Sequence, residues 1–139
     1  MNKNLSNILF FVLAVGSITR SSNLGWGFFI GIPAIILAGL IHWFVQRNLY
    51  KYSEILTVGD KAFIFFCHLT YLGSLIFQSD GGDAGPVIAI ENITRLNLYI
   101  SYDWAWNLSI FFTAFFILLN TLGVIRIIRL RNKIKSQSI

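Results

Sequence analysis

The chain holds two histidines, His42 and His68, and both fall within long apolar segments. Histidine titrates nearest neutral pH and is the commonest metal ligand. Two histidines on neighbouring helices at one depth suffice as axial ligands of a haem iron, or as part of a transition-metal site. Haem b is the cofactor such a pair would hold. A zinc site wants more ligands, and no apolar segment carries a carboxylate. The plainer alternative is a hydrogen-bonded polar cluster that fixes helix register, each interhelical bond contributing about 0.6 kcal/mol. The residues favour the cluster, because two histidines alone are a weak ligand signature.

Depth brings further side chains to the same level. His42 lies five residues before Arg47, His68 seven after Lys61, and Asn120 six before Arg126. With a helical rise of 1.5 Å per residue, these positions sit roughly 7–11 Å from one membrane edge. Tyr71 is one turn from His68. The expected polar cluster is therefore His42, His68, Tyr71 and Asn120. His42 also continues a stripe of small residues, Gly27, Gly31, Ala34 and Ala38, at helical spacing. Small residues let helix backbones approach closely in lipid, so this face is expected to pack against other helices. Cys67, His68, Tyr71, Ser74 and Gln78 form one polar arc, and Ser109, Thr113, Asn120 and Gly123 form another.

The elements that must position these residues follow from composition. Hydrophobic residues make up 55% of the 139 positions and charged residues 12%. A soluble chain carries about twice that charge. A membrane-spanning helix needs roughly 20 mostly apolar residues. Four segments free of Asp, Glu, Lys and Arg qualify on this reading, at about 5–19, 24–45, 62–78 and 104–125. The expected fold is all-α: one integral membrane domain over 1–139, a bundle of four transmembrane helices. An external loop spans 79–103 and a basic tail 126–139.

The first segment is the shortest. Its small residues at 13–17 allow a cleaved signal peptide as the rival reading. In the external loop, "SDGGDAGP" is a turn-former by composition. Leu96, Leu98, Ile100, Tyr102 and Trp104 then alternate with polar residues, which is a strand period. A β-hairpin pairing this run with 86–92 is expected, with a segment lying on the membrane surface as the alternative. The stretch Gln46–Lys61 reads as a polar connection. Trp26, Trp43, Trp104 and Trp106 lie near segment ends and read as interface anchors.

Charge sets the orientation. Lys3, Arg47, Lys51, Lys61 and the five tail residues Arg126, Arg129, Arg131, Lys133 and Lys135 make nine basic residues on one side, against Arg20 and Arg95 on the other. Basic residues collect on the cytoplasmic side, so both termini are expected there, in a bacterial inner membrane. The tail would contact anionic lipid headgroups. The net charge of +5 is concentrated at this edge, which argues against a nucleic-acid partner.

Other chemistries lack their residues. The single cysteine, Cys67, forms no internal disulfide and no redox pair. No catalytic triad, phosphate loop or metalloprotease motif occurs. The leading expectation is a non-enzymatic subunit or accessory protein of a membrane complex, partnered by lipid and by another membrane protein or a second copy. The first alternative is haem- or metal-based electron transfer through His42 and His68. The second is a small transporter or channel, weakened by the absence of a membrane carboxylate.

Overall fold

The computed structural model describes residues 3–21, 28–82, 85–94 and 99–137. Four long helices carry the architecture: α1 (Lys3–Ser21), α2 (Phe28–Tyr50), α3 (Val58–Ile76) and α5 (Tyr102–Gln137). Between α3 and α5 lie β1 (Ser79–Gly82), β2 (Gly85–Ile88) and the short helix α4 (Ala89–Thr94).

Local chemistry sets the element ends. Thr57 caps α3: its hydroxyl accepts from the Asp60 amide at 3.2 Å, while the Asp60 carboxylate accepts from the Thr57 amide at 2.9 Å. This reciprocal pair satisfies two of the orphan donors at the helix start. The same carboxylate reaches across to α5, where the Arg126 guanidinium donates through Nε at 2.8 Å and Nη2 at 2.9 Å. One side chain thus starts α3 and fixes its position against α5. The planar guanidinium matches the carboxylate in a two-point contact. Beyond Arg126, α5 continues to Gln137, so the basic tail is helical over most of its length.

Helix α3 packs most extensively on α5, with α1 against α2 and α3, and α2 against α5. Two apolar clusters form. One joins Leu9, Val45, Leu49, Tyr50, Ile64 and Leu130, and the other joins Val12, Tyr71, Leu75 and Phe116. Close approach depends on glycines outside the expected stripe. A Cβ at Gly73 would lie 2.6 Å from the Phe112 ring, and one at Gly123 would lie 2.5 Å from Val45 Cγ1. In the stripe itself, Ala38 packs on the Tyr71 cluster and Ala34 is exposed. Gly31 lies within α2, and Gly27 is outside the described residues. On α5, Ser109 is buried and its hydroxyl donates to the Ser74 carbonyl at 3.2 Å, joining α5 to α3.

The four-transmembrane-helix bundle is not supported. Among the described residues only α5, over Tyr102–Ser136, is long and apolar enough to cross a membrane. The apolar part of α1 runs only from Asn4 to Ile18, short of the ~20 residues a bilayer requires. Helix α2 carries His42, Gln46, Arg47 and Asn48 in its C-terminal half, and α3 begins with Asp60 and Lys61 and is interrupted by polar side chains. Placing both termini on one side rested on an even number of spans and loses that basis.

The hairpin also differs from expectation. β1 pairs antiparallel with β2, Ser79 opposite Ile88 and Gly82 opposite Gly85, so both strands come from the turn-forming stretch and its immediate sequel. Residues 95–98 lie outside the described residues. Tyr99 has a φ of 54°, which breaks an extended run, and α5 has begun by Tyr102. The left-handed backbone at a residue other than glycine costs about 1 kcal/mol or more, and it ends the alternation read as a strand. Trp43, Trp104 and Trp106 are exposed, and the Arg47 guanidinium lies 4.8 Å from the Trp43 ring centre. Trp26 is outside the described residues.

Candidate functional site

Residues 42, 46 and 50 follow one another at intervals of four along α2, so they share a face. All three are buried: His42, Gln46 and Tyr50. Opposite them, α3 presents Cys67, His68 and Tyr71, also buried. The stretch from Gln46, expected as a connection, is therefore helix as far as Tyr50, and it supplies two members of the site.

The two imidazoles meet directly. His42 Nε2 lies 2.8 Å from His68 Nδ1, and the ring centres are 4.9 Å apart in an edge-to-face arrangement. The other nitrogen of His68, Nε2, lies 2.6 Å from the Tyr50 hydroxyl. Tyr71 stacks on His42 with ring centres 4.6 Å apart and an interplanar angle of 4°. Tyr71 belongs to one apolar cluster and Tyr50 to the other. The two histidines bridge them.

Asn120 sets the direction of this chain. Its Nδ2 donates to the Phe116 carbonyl at 2.8 Å, so the free end of its amide is the acceptor Oδ1. The Asn120 side chain faces His42. Asn120 Oδ1 and His42 Nδ1 are both buried, and neither has a hydrogen-bond partner. His42 Nε2 is engaged with His68, and the free end of the nearby amide is an acceptor, which favours the proton on His42 Nδ1. That leaves His42 Nε2 as an acceptor, and His68 Nδ1 must donate to it. His68 Nε2 is then an acceptor, and the Tyr50 hydroxyl donates to it. A neutral imidazole offers one donor and one acceptor, and this assignment uses both on His68.

The sequence places His42, His68, Tyr71 and Asn120 at one level, and these four side chains do come together. Tyr50 and Gln46 were the residues it missed, although the interval of four from His42 carries the signal. Gln46 lies beside the Cys67 thiol, and both ends of its amide lack a well-formed bond. Arg126, expected at the lipid headgroups, is instead bound to Asp60. Arg129, Arg131, Lys133 and Lys135 are exposed along the end of α5.

This geometry does not suit axial ligation. Two imidazole nitrogens bound on opposite faces of one haem iron stand about 4 Å apart, twice a metal–nitrogen bond of about 2 Å. Here the facing nitrogens are at hydrogen-bond distance, and the second nitrogen of His68 is taken by Tyr50. Among the described residues, no three His, Cys, Asp or Glu side chains cluster as a metal site. The arrangement can hold α2 and α3 in register, and it can relay a proton from Tyr50 through His68 to His42. The chain matches no protein-family model, no curated protein and no solved structure.

Proposed function

We propose that this protein is a non-enzymatic membrane protein, held in the bilayer by α5 and acting as a subunit or accessory factor through contact with another membrane protein or a second copy of itself. One observation carries the reading. The apolar stretch of α5 has only 22% of its residues buried against the rest of the protein. A core helix of a water-soluble protein hides such a surface. Here Ile110, Phe111, Ile117 and Leu118 are exposed, and an apolar phase or a partner must cover them. The helix lies far from the N-terminus, which argues against a signal sequence. The exposed Arg129, Arg131 and Lys133 beyond it fit anionic headgroups on the cytoplasmic side of a bacterial inner membrane.

The paired histidines fit this role as a structural joint. Buried polar groups that satisfy one another specify one arrangement of helices. Alkaline carbonate extraction of membranes tests the reading. The native protein stays in the pellet, and a variant carrying Phe111→Lys, Ile117→Lys and Leu118→Lys is released. Native protein in the supernatant, or catalytic turnover by the purified chain alone, overturns it.

A further inference from the structure

Tyr50 and His68 line a cavity of about 550 Å³ that opens between α1, the turn after α2, and α3. Its volume lies within the range of sites that take small organic ligands. Ile8, Leu56, Ile64 and Phe65 make most of its wall apolar. Glu54 and Lys61 also line it, and their opposite charges leave no net charge to select an anionic or cationic ligand. The polar groups that remain are the Tyr50 and Ser53 hydroxyls, the Asn4 amide and the His68 ring, and of these Tyr50 and His68 belong to the relay.

The direction of the relay decides what those groups can recognise. With the proton on His42 Nδ1, every donor in the chain points inward, and the Tyr50 proton is used on His68 Nε2. His68 has both nitrogens engaged. The Tyr50 oxygen keeps an acceptor lone pair and has no proton to offer the cavity. A ligand that pairs with it must donate. We infer that the cavity is a binding site for a neutral amphiphile with a hydroxyl head, such as an alkylphenol, whose O–H donates to Tyr50 Oη while its apolar body lies against Ile8, Leu56 and Phe65. The inference uses the relay and the cavity alone and does not depend on the partner-protein reading.

The purified protein in mild detergent is titrated calorimetrically with 4-heptylphenol and with its methyl ether, 4-heptylanisole. The two share an apolar body, and only the phenol can donate. The expected result is saturable binding of the phenol and at least tenfold weaker binding of the ether, the loss of about one hydrogen bond. Tyr50→Phe combined with His68→Leu, which removes both acceptors from the cavity, lowers the phenol to the affinity of the ether. Ile8→Trp, which fills the cavity from an exposed position on α1, removes saturable binding of both. Equal affinity of phenol and ether for the native protein overturns the inference, as does unsaturable partitioning of both. The comparison on native protein decides the matter even where a variant folds poorly.

Discussion

The Tyr50–His68 contact can be weighed with a double-mutant cycle. Tyr50 is 2% exposed and His68 9%, so their bond is largely shielded from water. Tyr50→Phe keeps the ring in its apolar cluster and removes only the donor, leaving His68 Nε2 an unpaired acceptor. An orphaned buried group of this kind costs about 1–3 kcal/mol. His68→Leu removes two bonds and orphans both the Tyr50 hydroxyl and His42 Nε2, which should cost about twice as much. In the double variant the Tyr50 hydroxyl and the His68 nitrogen are both gone, and only His42 Nε2 remains unpaired. The double should therefore be less destabilised than the sum of the singles by two orphaned groups, about 2–6 kcal/mol. Reversible unfolding in mild detergent, followed by tryptophan fluorescence, measures all four corners. Additivity within about 0.5 kcal/mol would show that the two groups do not share a bond and would refute the relay.

Gly73→Ala and Gly123→Ala should each destabilise the protein by about 1–3 kcal/mol, because the added methyl meets the Phe112 ring or the buried Val45 side chain. Gly59→Ala, whose Cβ would meet only Thr57 Oγ1 at 3.7 Å, should be neutral or stabilising in the same unfolding assay. The Arg126 guanidinium beside Asp60 holds its carboxyl down at about 2, from an ordinary 3.8. A depressed carboxyl stabilises the folded state above its unfolded value and loses that contribution as pH falls. The drop corresponds to at most about 2.4 kcal/mol. The Arg126 side chain is 38% exposed, so solvent screening reduces the expectation to about 1 kcal/mol. Native protein should lose this stability between about pH 4 and pH 2, and Arg126→Gln should lose it at neutral pH and flatten that acid limb.

The level shared by His42, His68, Tyr71 and Asn120 was legible because helical rise and polar spacing are regular. The direct contact between the rings was not, since spacing gives depth and not rotation. Gln46 and Tyr50 were hidden by their neighbours. Arg47 and Asn48 make the stretch look like a loop, while burial of 42, 46 and 50 on one face keeps it helical. The role of Asp60 was invisible for a similar reason: its partner lies 66 positions away on α5. Counting spans from apolar composition failed where polar residues share helices with apolar ones. The apolar part of α1 is too short, and the apolar runs of α2 and α3 are broken by the same side chains that build the site. The hairpin pairs Gly85–Ile88 with Ser79–Gly82, where the run ending at Trp104 was the expected partner, because Ile100, Tyr102 and Trp104 at alternate positions also fit the entry into a helix.

Nitrogen-15 NMR of histidine-labelled protein tests most directly whether the two histidines hold each other. A hydrogen bond between imidazole nitrogens carries a scalar coupling across the bond, and the nitrogen shifts report which atom bears the proton. The expected spectrum shows both rings neutral with the proton on Nδ1, and a coupling between His68 Nδ1 and His42 Nε2 that disappears in His68→Gln. Uncoupled rings, or protons on Nε2 of both, would contradict the relay.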